Sequence, residues 1–221
     1  MSVCYVAPGG SATSPYDTWA KAATSITMAW AYGTTVGSTV YVSPDNVDSY
    51  GIDITWRPGG SEDHDYPFYV LCAPTGSEPP TSLTTGARVK VSGATKDLNI
   101  ISDRVVVFHG IKFSSSDEIR QQGYGVFINC SFALVEAGFN NQIKLEGSND
   151  YTRFEDCNMG FAEEDHGMYA SGTTYGWHWH GGNLYVYNGI FQGLMERGNG
   201  AGVVEIRGVD LSSLTDRDWE T

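Results

Sequence analysis

The sequence predicts an all-β chain, a parallel β-helix (solenoid) of stacked coils with one N-terminal capping α-helix, and three observations carry that reading. A six-residue pattern occurs five times between Phe108 and Leu211: large apolar, any residue, Gly/Asn/Asp, Ile/Val/Cys, any residue, apolar. Each copy contains one residue that tolerates a left-handed backbone, the mark of a sharp corner. A single amphipathic helical pattern stands upstream of every copy.

The pattern is clearest in Val107-Phe108-His109-Gly110-Ile111-Lys112-Phe113, and it returns as Phe127-Ile128-Asn129-Cys130-Ser131-Phe132 and Phe154-Glu155-Asp156-Cys157-Asn158-Met159. A weaker copy is read at Tyr187-Asn188-Gly189-Ile190-Phe191-Gln192, and a fifth at Ile206-Arg207-Gly208-Val209-Asp210-Leu211. The fourth position falls at Ile111, Cys130, Cys157, Ile190 and Val209, in steps of 19, 27, 33 and 19 residues. Steps near 20 that accept insertions belong to a solenoid with loops of variable length on its coils. Side chains two apart share a strand face, so Phe108 and Ile111, three apart, share one only if the chain bends between them. The expected bends are Gly110, Asn129, Asp156, Gly189 and Gly208. An antiparallel sandwich with hairpins at these positions is the alternative reading.

Taken in order, the chain opens with Cys4-Tyr5-Val6-Ala7-Pro8, and similar runs end at Pro44 and Pro74. Each is rich in β-formers and stopped by a residue that cannot donate to the next ladder bond, which marks the first coils. Between the first two, residues 18–32 are predicted as helix, with Asp17 or Thr18 as N-cap and Gly33 near the end. Trp19, Ala23, Ile26 and Trp30 would form its apolar stripe, covering an otherwise open coil. Residues 46–65 and 75–87, rich in Gly, Pro, Ser, Asp and Thr, read as loops between coils. Val89 and Val91 alternate, Leu98, Ile100 and Ile101 follow, and a second long excursion fills 161–183. The last ten residues are polar and too short for a second lid. A single domain over 1–221 is expected: strand and capping helix in 1–45, coils with loops in 46–211, tail in 212–221.

Tyr5-Val6-Ala7-Pro8-Gly9-Gly10, Trp19-Ala20, the alanine-rich 23–31 and Gly37-Ser38-Thr39-Val40-Tyr41-Val42-Ser43-Pro44 together resemble the amino-terminal cap of right-handed parallel β-helix proteins of the pectate-lyase-like superfamily. Ser14-Pro15-Tyr16-Asp17-Thr18-Trp19-Ala20-Lys21-Ala22-Ala23-Thr24 and Val204-Glu205-Ile206-Arg207-Gly208-Val209-Asp210-Leu211-Ser212 resemble tailed-phage virion proteins of that fold. The resemblance implies a right-handed coil and a structural role in a particle, such as head decoration.

Thirteen basic residues against 26 acidic ones, a net charge of -13, argue against nucleic acid as a partner, because phosphate binding needs clustered Lys and Arg. No apolar run approaches a membrane span, and Met1-Ser2-Val3-Cys4 lacks the basic and apolar regions of a signal peptide. Without a secretory signal, Cys4, Cys72, Cys130 and Cys157 read as buried free thiols rather than two disulfides. No CxxC spacing points to zinc.

Two regions carry suggestive chemistry. Glu62, Asp63 and Asp65 surround His64 in a loop where a divalent cation is conceivable, although the spacing fits no Ca²⁺ motif and a solvated loop is the simpler reading. Glu163-Glu164-Asp165-His166 precedes Trp177-His178-Trp179-His180, where His178 and His180 would share one strand face. They could ligate a transition metal or line a sugar site with the tryptophans as platforms; an amphipathic strand with a wet His face needs neither. Glu155 with Asp156, or Glu205 with Asp210, are the carboxylates available to a glycosidase, but the Asp156 and Asp210 positions do not coincide within the repeat, and Asp156 is already read as a corner. Neither catalytic residues nor a cofactor or metal is assigned. The expectation is a non-enzymatic virion protein on the capsid exterior that docks on the major capsid protein and on copies of itself, a trimer being one arrangement. The alternative is a tailspike-like protein that binds or degrades polysaccharide.

Overall fold

The computed structural model describes residues 2–32, 37–56, 67–92, 96–115, 118–134, 142–146, 151–159, 175–179, 181–191, 194–197 and 202–210. In chain order the elements begin β1 (Val3–Val6), α1 (Ile26–Tyr32), β2 (Thr39–Val42), β3 (Val47–Tyr50), β4 (Ile54–Trp56) and β5 (Phe68–Cys72). They continue with β6 (Arg88–Val91), β7 (Leu98–His109), β8 (Lys112–Ser115), β9 (Glu118–Ile128), β10 (Ser131–Leu134) and β11 (Gln142–Glu146). The last are β12 (Tyr151–Glu155), β13 (Asn158–Met159), β14 (Tyr175–Trp179), β15 (Asn183–Tyr187), β16 (Ile190–Phe191), β17 (Leu194–Arg197) and β18 (Val204–Arg207).

Every strand pairing among the described residues is parallel. The strands fall into three ladders. One runs β1, β2, β5, the second half of β7, the second half of β9, β12, β15 and β18. A second runs β4, the first halves of β7 and β9, β11, β14 and β17. The third runs β3, β6, β8, β10, β13 and β16. The first two form one sheet because β7 and β9 pass through both, with a break of register between Ser102 and Val106. Gly123 sits at that break with φ +92°, and a Cβ there would lie 1.8 Å from the Ser102 carbonyl oxygen. The chain is thus a mostly parallel β protein, consistent with a β-helix-like fold, and parallel pairing replaces the antiparallel-hairpin alternative.

Corners occupy the expected places with one shift. Gly110, Asn129, Asp156 and Gly208 have φ of 72°, 51°, 52° and 66°. In the fourth copy, register pairs Glu155 with Tyr187 and Phe154 with Val186, so Asn188, φ 55°, is the corner and Gly189, φ 81°, follows it. The sequence reading was one residue out of register there. Because side-chain direction alternates, that slip exchanges inside for outside, and Ile190, expected in the core, is 39 % exposed. Gly189 stands level with Cys157, where a Cβ would lie 2.1 Å from the Cys157 carbonyl oxygen.

Between the ladders lies a continuous core. Phe108, Phe127 and Phe154 stack at centroid distances of 5.2 and 5.1 Å, and Phe113 stacks on Phe132 at 5.2 Å. The two columns meet edge to face, Phe108 on Phe113 at 5.3 Å and Phe127 on Phe132 at 5.2 Å, as the aromatic quadrupole favours. Trp30 extends the stack, lying 5.4 Å from Trp56 and 6.2 Å from Phe108. All four cysteines are buried and free.

Helix α1 is shorter than its periodicity predicts. Residues 18–25 make turns, and Ala23 instead bridges to Val6, its amide donating to the Tyr5 carbonyl and its carbonyl accepting from Ala7. Neither Asp17 nor Thr18 caps the helix: the Ser25 hydroxyl accepts from the Met28 amide at 3.2 Å, and Asp48 accepts from the Ile26 amide at 2.6 Å. Trp19 lies off the helix against Tyr5, centroids 4.7 Å apart, whereas Ile26 and Trp30 enter the core as expected. Gly33 lies outside the described residues. The 46–65 segment, read as loop, supplies β3 and β4 and places Trp56, 1 % exposed, in the core. Its Gly, Asp and Ser content masked two strands of three and four residues, too short to show a period.

Candidate functional site

Outward side chains of the first ladder form the most chemically distinctive surface among the described residues. Strands β12 and β15 alternate in burial, sending Phe154, Leu184 and Val186 inward and Arg153, Glu155, Tyr185 and Tyr187 outward. Register then builds two outward rows. Val126, Arg153, Tyr185 and Glu205 form one; Ile128, Glu155, Tyr187 and Arg207 form the other.

Polar contacts lace these rows together. Arg153 Nη2 lies 2.6 Å from Glu155 Oε2, and its guanidinium carbon stands 5.2 Å from the centre of the Tyr187 ring. The Tyr187 hydroxyl donates to Glu205 Oε1 at 3.2 Å, and Arg207 Nε reaches the same oxygen at 2.7 Å. Desolvation, then the Glu205 hydrogen bond and charge, push the Tyr187 phenol up. Beside these rows Tyr124 meets Tyr151 at a centroid distance of 5.5 Å, and Tyr151 in turn lies 6.5 Å from Tyr185 of the first row. Parallel register thus sets residues 27, 32 and 20 positions apart side by side, while each Arg–Glu pair joins residues two apart on one strand. Residue-by-residue reading missed this face, although the Tyr-x-Arg-x-Glu, Tyr-x-Tyr and Glu-x-Arg alternations were visible once aligned on the corners.

The carboxylates considered for chemistry take separate tasks. Glu155 and Glu205 are each paired with an arginine, and Asp156 is a corner whose amide donates to the Tyr187 carbonyl at 3.0 Å. Asp210 bridges to Ile190 beyond β18, away from Asp156. A second charged patch on β9 and β11 is likewise internally paired: Arg120 contacts Glu118 at 2.6 Å and Glu146 at 3.5 Å, and Lys144 contacts Glu146 at 2.6 Å. His109 lies outward on β7, its Nε2 3.3 Å from Asn129 Nδ2, and desolvation holds the imidazole below its ordinary value.

Of the two suggestive regions, Glu62, Asp63, His64 and Asp65 lie outside the described residues, as do Glu163, Glu164, Asp165, His166 and His180. His178 falls on β14, level with Lys144 on one neighbour and Glu196 on the other, between Trp177 and Trp179. Among the described residues no three of His, Cys, Asp and Glu converge as metal ligands would.

A buried polar cluster anchors the helix instead. Asp48, 3 % exposed, accepts from the Ile26 amide, from Asn46 Nδ2 at 2.8 Å and from the Tyr50 hydroxyl at 2.9 Å. Thr27 Oγ1 lies 2.8 Å from the Tyr50 hydroxyl and accepts from Trp56 Nε1 at 3.0 Å, tying α1 to β3 and β4. Burial pushes the Asp48 carboxyl up, against the three hydrogen bonds that favour its charged form.

No protein-family model matches the chain, and no curated protein or solved structure matches it. The likenesses to pectate-lyase-like and tailed-phage proteins accordingly rest on the sequence segments quoted above.

Proposed function

We propose that the chain is a right-handed parallel β-helix with α1 as its amino-terminal lid, and that it serves as a non-catalytic bacteriophage virion protein. In this reading it is a capsid decoration, or cement, protein that docks on the major capsid shell from outside and stabilises it. The observation that carries the non-catalytic part is the engagement of the candidate carboxylates: Glu155 and Glu205 are held by Arg153 and Arg207, and Asp156 serves as a corner. A general acid needs a carboxyl free to exchange a proton with substrate, across from a second carboxyl. An arginine partner occupies a carboxylate oxygen and fixes the group in place. Parallel coils with an uninterrupted aromatic core supply rigidity, and paired surface charge supplies a fixed shape for neighbouring subunits.

Fractionation of the native particle tests this role. The protein is expected to copurify with intact heads and to be missing from isolated tails; finding it at the tail tip overturns the assignment. The outward tyrosines favour one other reading, saccharide binding, because a phenol ring offers both a flat apolar face and a polar edge. Incubation with host capsular polysaccharide, assayed for retention and for new reducing ends, is expected to be negative.

A further inference from the structure

The two outward rows on β9, β12, β15 and β18 are complementary to each other, and we infer that this face joins two copies of the chain in a two-fold dimer. The inference needs no particle role. A face-to-face dimer has its two-fold axis in the plane of contact and uses the same patch on both copies. With that axis running along the stack, midway between the rows, the first row of one copy meets the second row of the other. Arg153 then faces Glu155 of the second copy, and Glu205 faces its Arg207. Tyr185 faces Tyr187 of the second copy, and Val126 faces its Ile128. Each of the four strands contributes a matched pair.

Charge selects the occupant. The chain carries a net charge of -13, so two copies repel over most of their surfaces. This face holds two arginines and two glutamates in alternation, and no lysine, so its sum is zero. A partner of one-signed charge would meet repulsion at half of the four sites, whereas a second copy meets attraction at all of them. Tyr and Arg are also the residues that carry most binding energy in protein contacts.

Light scattering on the eluting full-length chain, with sedimentation equilibrium over a concentration series, reads the oligomer directly. The wild type is expected to show a reversible monomer–dimer equilibrium. Arg153→Glu with Arg207→Glu makes the face wholly acidic, and Glu155→Arg with Glu205→Arg makes it wholly basic; each double variant alone is expected to lose the dimer. An equal mixture is expected to restore it as a heterodimer, a rescue that misfolded variants cannot give. A monomeric or trimeric wild type, double variants that dimerise as the wild type does, or a mixture without heterodimer each overturns the inference.

Discussion

Asn129 and Asp156 hold φ of 51° and 52° at corners where the first copy of the pattern has Gly110 at 72°. Glycine has no side chain to share with them, so backbone conformation is what the position selects. Gly110 is the least replaceable: an added Cβ would lie 2.1 Å from the Thr84 carbonyl oxygen. Gly110→Ala is expected to lower stability by about 1–2 kcal/mol from the left-handed backbone alone, with the contact adding to it. Asn129→Gly should shift stability by less than about 1 kcal/mol, since glycine accepts that conformation freely. Urea unfolding midpoints of the two variants measure the difference.

The cysteines are a second residue-scale case. Burial, then the charge of Asp17, push the Cys4 thiol up to about 11, and burial raises Cys72 and Cys130. Protonated, buried thiols are poor nucleophiles. A thiol reagent at neutral pH should therefore leave the native protein almost untouched and titrate all four cysteines after denaturation. Residue types at corners and inward positions were legible from sequence because local geometry limits them to few choices. The register of the fourth copy was not, since Asn188 and Gly189 both satisfy the corner rule and only pairing with β12 decides between them.

At the scale of elements, β9 holds the centre of the core through Phe127, which stacks on Phe108 and Phe154 and meets Phe132 edge-on. Phe127→Ala removes ring contacts in three directions at a site 1 % exposed, where the surrounding strands cannot collapse. A loss of about 3–5 kcal/mol is expected by chemical denaturation.

Helix α1 depends on a single carboxylate two strands away in sequence. Asp48→Ala would leave the Ile26 amide, Asn46 and Tyr50 without that acceptor, at a loss of about 1–3 kcal/mol for each donor left unsatisfied. The wild-type carboxyl also sets a pH trend. Its folded value lies above the ordinary 3.8, so between the two values the native state binds more protons than the unfolded chain. Its contribution is greatest below 3.8 and declines as pH rises through the folded value. Unfolding midpoints measured across that window should show this component in the wild type and lack it in Asp48→Asn. The dependence of α1 on Asp48 was hidden because 22 residues separate it from Ile26, and its segment has the composition of a loop. Trp19 was misplaced for a related reason: its spacing to Ala23 is helical, but the bridge from Ala23 to Val6 draws the chain into the sheet.

Across the whole molecule, in-register parallel stacking converts a loose repeat into continuous columns, aromatic inside and Tyr/Arg/Glu outside. The inner column was largely readable from the recurring phenylalanines. The outer face was not, because its neighbours become adjacent only after insertions of different length are looped out between corners. The decoration role proposed for the chain needs such a stack to act as a rigid spacer through its surfaces. Electron microscopy of the native particle tests that role. Density for this chain is expected on the outer surface of the head, seated across neighbouring capsid subunits. Density at the tail tip, or none on the particle, would contradict it.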